Sequence, residues 1–194
     1  MASVSLPTSG RDRACPLQLV LGIQMLIRGP EPADEPAIAR LFTELVQSGD
    51  AQRFHPHPFT SREALHLTRG HSPAGDETND IYRFGFERGE AVAYGMLRGW
   101  DDGYAEPSLG IAVHPGFRGQ GLARIMLAHL HDLARLRGAV SVRLKVYKDN
   151  APAVSLYRSL GYALTAHDHL QWLGRLMLAS TGQRPTPPDP RKAA

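Results

Sequence analysis

The feature that most constrains the fold is a change of hydrophobic period within residues 109–123. Leu109, Ile111 and Val113 alternate with smaller residues, which is the period-2 pattern of a β-strand. From Leu122 onward, apolar residues recur at three- and four-residue steps, which is the pattern of one helix face. The sequence therefore predicts a strand, a loop with glycines and a long helix in this order.

The predicted loop has the chemistry of an anion site. Gly119 and Gly121 carry no Cβ, so a ligand can approach the backbone closely, and Arg118 adds a permanent positive charge. The first N–H groups of a helix have no partner within it, and the helix dipole adds partial positive charge there. This combination suits a phosphate or pyrophosphate. Taken alone, so short a motif is as well explained by a tight turn and a solvated arginine.

Two motifs resemble the signatures of the GNAT superfamily of N-acetyltransferases. Arg118–Ala123 reads R-G-Q-G-L-A and matches the acetyl-CoA pattern [Q/R]-x-x-G-x-[G/A]. Asn150–Tyr162 matches the second signature, N-x-x-A-x-x-L-Y-x-x-x-G-[F/Y], at every named position. The loop has neither the G-x-G-x-x-G spacing of dinucleotide folds nor the G-K-[ST] ending of P-loops. Both motifs in register make chance a poor explanation.

The resemblance implies the GNAT fold and a division of the chain into three parts. The fold is α/β (α+β), a mixed, mostly antiparallel twisted sheet of six to seven strands with flanking helices. Residues 25–179 are expected to form this domain. Residues 1–24 are expected to be an N-terminal extension, and residues 180–194, which contain four prolines, a disordered tail.

The resemblance also implies acetyl-CoA as the co-substrate. Backbone groups of the strand are expected to hold the pantetheine arm and the thioester, and those of the loop the pyrophosphate. The residues expected to bind acetyl-CoA are Ile111, Val113, Arg118, Gly119, Gln120, Gly121, Leu122, Ala123, Asn150 and Tyr157. Tyr157 is also the expected general acid, because the leaving thiolate needs a proton. The alternative is that Tyr157 is a core aromatic residue with a satisfied hydroxyl.

The general base is less well indicated. Family members often use a glutamate on the strand before the loop or on the next strand. Glu106 is the candidate on the first strand, but strict alternation places it on the face opposite to Val113 unless a bulge intervenes. On the next strand, Lys145 stands where some relatives carry the glutamate, which argues against protein N-terminal acetylation of their type. Deprotonation through water near Glu106, Tyr104 or His55 stays open.

Four aromatic or imidazole side chains are candidates for binding the acceptor. They are His55 and His57, in a loop stiffened by prolines, and Trp100 and Tyr104, in a turn. Rings and hydrogen-bonding groups suit a sugar, so the expected reaction is acetylation of a small-molecule primary amine, such as an amino sugar or sugar nucleotide, through a tetrahedral intermediate. The alternatives are a protein lysine or N-terminal acetyltransferase and a non-catalytic acyl-CoA sensor. For both histidines, a purely structural role in the loop is the competing interpretation.

Composition excludes several other classes of protein. A net charge of +3 over 194 residues, without a basic stripe, predicts no nucleic-acid partner. The single Cys15 forms no intrachain disulfide and is typical of a cytoplasmic protein. No metal-ligand spacing occurs, and the apolar run at residues 17–26 is too short to cross a membrane. The apolar last strand fits either a monomer or a homodimer.

Overall fold

A single twisted sheet with helices on both faces organises the chain in the computed structural model, which describes residues 25–178. The strands are β1 (Leu26–Arg28), β2 (Ile81–Glu87), β3 (Glu90–Arg98), β4 (Ser108–Val113), β5 (Ser141–Tyr147), β6 (Ala163–Ala166) and β7 (Gln171–Met177). The helices are α1 (Glu35–Gln47), α2 (Ser61–Thr68), α3 (Leu122–Leu136) and α4 (Ala151–Ser159). The strand order is β1-β2-β3-β4-β5-β7-β6, and only the β4–β5 pair is parallel. The predicted mixed, mostly antiparallel sheet is confirmed. The predictions for residues 1–24 and 180–194 lie outside the described residues.

Two hydrophobic cores form because the central strands are buried on both faces, and successive side chains of a strand point to opposite faces. On one face, Met126 and Leu130 of α3 are fully buried against β3, β4 and β5, where Val142 is also fully buried. On the other face, Phe42 of α1 packs with Tyr94 of β3. None of the helices between residues 25 and 178 has the length and apolar character that crossing a membrane requires.

The start of α1 is held by a contact with β1. Asp34 directly precedes the helix, but its side chain makes no capping hydrogen bond to α1. Its carboxylate instead accepts two hydrogen bonds from the guanidinium of Arg28 on β1, at 2.5 and 2.7 Å. Charge-assisted bidentate hydrogen bonds are among the strong ones in proteins, so the carboxylate ties β1 to the start of α1.

The sheet opens between its two parallel strands. Only Ser108 of β4 and Arg143 of β5 are paired, and the amide of Arg143 donates to Pro107 O at 3.1 Å. Beyond this point β4 stays paired with β3 up to Val113, and β5 stays paired with β7 up to Tyr147. The two strands therefore diverge toward their carboxyl ends and leave a V-shaped opening in the sheet.

Candidate active site

A cavity of about 580 Å³ occupies the opening between β4 and β5. Its walls come from the second half of β4, the loop and first turn of α3, the end of β5, the start of α4 and the connection after α1. The lining includes Leu109, Gly110, Ile111, Ala112, Val113, Arg118, Gly119, Gly121, Leu122, Ala123, Lys145, Asn150 and Tyr157, together with Asp50, Arg53 and Phe54. Such a volume accommodates a ligand of drug size.

The backbone of β4 directs polar groups into this opening. In an antiparallel pair, hydrogen-bonded and non-hydrogen-bonded residue pairs alternate. The amide of His114 donates to Val92 O at 2.9 Å, so the backbone groups of Gly110 and Ala112 also face β3. The amides of Ile111 and Val113 consequently face the opening. Their orientation supports the expectation that they bind an extended ligand arm.

The loop before α3 presents backbone amides that are free to donate hydrogen bonds. Gly119 and Gly121 adopt positive φ angles of 74° and 82°, where a Cβ is strained, and Gly121 is the N-cap of α3. Within residues 25–178, no protein acceptor receives a hydrogen bond from the amides of residues 119–123. Unpaired amides at a helix N-terminus need an external acceptor. The amides of residues 119–123, called the glycine cradle below, have the arrangement that suits a phosphate group.

Arg118 holds this loop against two other elements. Its Nε donates to Val113 O at 3.2 Å, and its Nη2 forms an ion pair with the carboxylate of Asp50. A second ion pair joins Arg53 to Asp149 at 2.9 Å, on the α4 side of the cavity. The connection after α1 is thus fastened to both walls of the opening, which local sequence patterns did not indicate.

Tyr157 lies on α4 and is the buried phenol of the cavity. Its side chain is only 7% exposed, and its ring packs 5.4 Å from that of Tyr162. Burial raises the pKa of the Tyr157 hydroxyl well above its ordinary value of 10. No described residue hydrogen-bonds to this hydroxyl, so it is available to a ligand. Because its pKa is raised, the hydroxyl stays protonated at neutral pH.

Asn150 contributes to both helix formation and the cavity wall. Its Oδ1 accepts a hydrogen bond from the amide of Ala153 at 3.3 Å, which makes it the N-cap of α4. It also lines the cavity, as do all the other residues expected to bind the cofactor except Gln120. The glutamine is exposed and does not belong to the lining.

Glu106 does not belong to the cavity, contrary to the sequence expectation. β4 pairs with β3 in an unbroken register from Ser108 to Val113, so no bulge turns the preceding glutamate toward the opening. Its carboxylate accepts hydrogen bonds from Arg175 at 2.7 and 2.8 Å and from Ser141 at 2.7 Å. Although burial opposes it, these contacts lower the pKa of Glu106. A carboxylate held in this way is a poor proton acceptor.

The two loop histidines are separated by the fold. His55 is exposed and outside the cavity lining. His57 packs among aromatic rings, and burial lowers the pKa of its imidazole. Its Nδ1 lies 2.6 Å from Pro58 O, which can only accept, so Nδ1 carries the proton and Nε2 accepts from Tyr94 Oη at 2.8 Å. With both ring nitrogens occupied, His57 is placed to support the loop.

Trp100 and Tyr104 lie at the opposite end of β4 from the glycine loop. The guanidinium of Arg137 stacks 4.8 Å from the Trp100 ring, and that of Arg143 lies 5.1 Å from the Tyr104 ring. The length of β4 separates this turn from the loop, roughly 17 Å at 3.3 Å per residue. Neither side chain lines the cavity. In residues 25–178, no cluster of His, Cys, Asp or Glu side chains could hold a metal ion.

The described geometry and the motifs agree with a match to one protein family. Residues 42–162, more than half of the chain, match the acetyltransferase (GNAT) family. The chain belongs to the GNAT family. The match includes the glycine cradle, Tyr157 and the opening between β4 and β5, and it confirms the family resemblance seen in the sequence.

Relatives of known name within the GNAT family act on different acceptors. Over 64 residues the chain is 42% identical to streptothricin acetyltransferase of Streptomyces lavendulae, covering 33% of this chain and 34% of that protein. Over 52 residues it is 48% identical to the [ribosomal protein bS18]-alanine N-acetyltransferase of Salmonella typhimurium, covering 27% of this chain and 35% of that protein. The chain thus spans about a third of the length of these relatives.

Solved structures of GNAT proteins share the fold. The ribosomal-protein-S18-alanine N-acetyltransferase from Escherichia coli aligns with a TM-score of 0.58 and 23% identity, over 82% of this chain and 97% of that one. The yncA acetyltransferase structure from Salmonella typhimurium, with its cofactor acetyl-CoA, aligns with a TM-score of 0.63 and 23% identity, over 82% and 96%. At this identity the similarity establishes the fold.

Proposed function

We propose that this GNAT protein transfers an acetyl group from acetyl-CoA to a primary amine. The observation that carries the proposal is that one cavity is lined by both the cradle of Gly119 and Gly121 and the protonated phenol of Tyr157. The cradle fits a pyrophosphate, the free amides of β4 fit an extended amide-bearing arm, and the cavity volume fits a ligand of this size. Acetyl-CoA bound there supplies an activated thioester carbonyl.

Backbone amides, Tyr157 and water have separate roles in the proposed reaction. The backbone amides at the opening polarise the thioester carbonyl while the amine attacks its carbon. A C–N bond forms, the C–S bond breaks, and the electron pair of that bond leaves on sulfur. Two protons leave the acceptor nitrogen, one from the ammonium before the attack and one from the tetrahedral intermediate, and both pass to water. Tyr157 donates its hydroxyl proton to the departing sulfur and is afterwards reprotonated from water. The two carboxylates in the described cavity lining, Asp50 and Asp149, are held in ion pairs with Arg118 and Arg53, which supports removal of these protons by water.

Thermal melting with acetyl-CoA, CoA and ATP, followed by thiol release with an amine panel, tests this proposal. Acetyl-CoA at about 100 times its Kd stabilises the native state by about 2.7 kcal/mol, which shifts Tm by roughly 5–10 °C for a chain of this size. ATP is expected to give no comparable shift. Thiol release with at least one amine is expected. A shift without release would favour the acyl-CoA sensor, and no shift would contradict the proposed cofactor.

Asp50→Asn is expected to tighten acetyl-CoA binding about three- to fivefold. The carboxylate of Asp50 pairs with Arg118 beside the cradle, so it competes with a pyrophosphate for the same guanidinium and repels it. A partly exposed ion pair contributes up to about 1 kcal/mol, which sets the size of the effect. Isothermal titration measures it. The matched control is Asp132→Asn, which removes an exposed ion pair with Arg135 on α3 and should leave the Kd unchanged. Weaker binding by Asp50→Asn would show that the ion pair organises the cradle.

A protein amine is the second candidate acceptor. It is favoured by the similarity to the [ribosomal protein bS18]-alanine N-acetyltransferase, whose 52 matching residues are 48% identical. The small-molecule acceptor is favoured by the position of the Arg53–Asp149 and Asp50–Arg118 ion pairs, which fasten the connection after α1 to both cavity walls. Including N-terminal peptides in the thiol-release panel distinguishes the two.

A further inference from the structure

One face of β5 carries exposed positive charge beside the cavity. Val142 and Leu144 are buried against the α3 side of the sheet, so Arg143 and Lys145 project from the other face. The helices of that face, α1 and α2, form their core with β2 and β3 and not with β5. This part of the sheet is therefore open to a substrate.

Most other cations on this face are neutralised by protein groups. Arg98 lies 3.6 Å from the carboxylate of Asp80 and donates to Pro56 O at 2.8 Å. Arg175 of β7, directly opposite Arg143, forms a bidentate ion pair with Glu106. Arg143 and Arg175 share the single carboxylate of Glu106, so this pair of arginines keeps a net positive charge.

Within residues 25–178, Lys145 and Arg143 make no direct ion pair with a carboxylate, although the charge of Glu106 reaches Arg143 from its pair with Arg175. In the described part of the chain, Lys145 makes no hydrogen bond or ion pair, and Arg143 stacks on the Tyr104 ring without a hydrogen bond to a carboxylate. Extending the Ser108–Arg143 pairing by two residues places Lys145 across the opening from Gly110. Lys145 also lines the same cavity as Tyr157. The charge therefore lies on the side from which an acceptor reaches the thioester.

The wall opposite Lys145 is apolar. The ring of Phe54 lies so close to Gly110 that a Cβ on this glycine would come within 2.6 Å of it. An acceptor entering here meets a ring on one side and a cationic side chain on the other. A nearby cation also lowers the pKa of an acceptor ammonium, because like charges disfavour the charged form. More of the acceptor is then the nucleophilic free amine, without a protein base.

We propose that Lys145 and Arg143 form an anion subsite that selects amine acceptors carrying a carboxylate or a phosphate group. The subsite rests on the proposed acetyl transfer and names its substrate class. Polycationic acceptors such as polyamines are disfavoured by the same charges. Lys145 is the specificity-determining residue, because it lies in the cavity wall, and Arg143 extends the positive surface by one step along the strand face.

Matched pairs of amines test the subsite. Glucosamine 6-phosphate is compared with glucosamine, and phenylalanine with phenethylamine, so that each pair differs in one anionic group and the two arms separate phosphate from carboxylate. We expect the wild-type kcat/KM to be at least tenfold higher for the anionic member of one pair. Lys145→Met should reduce this ratio to about two, and Lys145→Glu should invert it. The Kd for acetyl-CoA should stay within twofold in both variants. Arg69→Met, at an exposed position after α2, is the control and should keep the wild-type ratio.

Failure of the subsite can be distinguished from failure of the proposed reaction. A wild-type protein that acetylates both members of each pair equally, or a ratio unchanged by Lys145→Glu, would overturn the subsite while leaving acetyl transfer intact. If no amine is turned over, melting of the CoA-saturated protein decides. N-acetylglucosamine 6-phosphate should raise Tm more than N-acetylglucosamine in the wild type and not in Lys145→Glu. Equal shifts would overturn the subsite, and no shift with CoA itself would remove both proposals.

Discussion

Tyr157→Phe is expected to lower kcat by about 10²- to 10³-fold while the Kd for acetyl-CoA changes less than threefold. The substitution removes only the hydroxyl, and general acid catalysis contributes a factor of this order. The ring remains to line the cavity and to pack against Tyr162. Steady-state thiol release gives kcat, and titration calorimetry gives the Kd.

The pH dependence sharpens this prediction. Because burial raises the pKa of Tyr157 well above 10, the phenol keeps its proton throughout the pH range 6–10. The wild-type kcat/KM should therefore rise with pH as the acceptor ammonium loses its proton, and it should not fall again below pH 10. A decline with an apparent pKa near 8 would identify another group as the acid.

Tyr162→Phe is the matched control for Tyr157→Phe. The two rings are 5.4 Å apart, but the Tyr162 hydroxyl binds His131 and does not line the cavity. The control should keep its kcat within threefold. A Tyr157→Phe variant with a kcat near that of the wild type would contradict the general-acid role and favour the alternative that Tyr157 is a core aromatic residue.

The cradle was predictable because its determinants are local. The change from period 2 to period 3.6 specifies the strand and helix, and Gly121 supplies the left-handed residue that begins α3. Asn150 as the N-cap of α4 follows from the preference of a short amide side chain for that position. Such features depend on neighbouring residues, so one sequence suffices to recognise them.

The acceptor side of the cavity depended on contacts between distant residues. Asp50 and Arg118 are 68 residues apart in the chain, and Arg53 and Asp149 are 96 apart. Nothing in the local pattern after α1 indicates that this connection crosses the opening. The position of Glu106 outside the cavity has the same origin, because Arg175, 69 residues away, binds its carboxylate.

His57 shows how a residue type can mislead when its surroundings are unknown. Two histidines in a loop stiffened by prolines are compatible with binding or catalysis. The aromatic cluster around His57 is formed by Phe42 of α1, Phe59 of the loop itself and Tyr94 of β3, and the hydroxyl of Tyr94 reaches it from 37 residues away. A half-buried imidazole with both nitrogens in hydrogen bonds is held in place by the fold.

His131 is expected to make the protein lose stability as the pH falls from 6.5 to about 4. The ring is buried on α3 with its Nε2 2.7 Å from Tyr162 Oη, and burial, together with the positive charge of Arg135, lowers its pKa to about 4, although Asp132 opposes this. In the unfolded chain the imidazole takes up a proton near pH 6.5, whereas in the native state it stays neutral. The unfolded state therefore binds more protons between these values, and stability falls as the pH decreases.

The double variant His131→Phe/Tyr162→Phe isolates this contribution. The difference between the two pKa values corresponds to at most about 3 kcal/mol, and solvent screening reduces the expected loss to about 2 kcal/mol. The free energy of unfolding is measured in urea at pH 7 and at pH 4.5. The wild type should lose about 2 kcal/mol more between these pH values than the double variant does. In the double variant an apolar pair replaces the hydrogen bond, so no buried group is left unpaired. His169→Phe, at an exposed position, should keep the wild-type dependence. Equal losses in the wild type and the double variant would contradict the prediction, because His131 would then take up its proton in the native state as readily as in the unfolded chain.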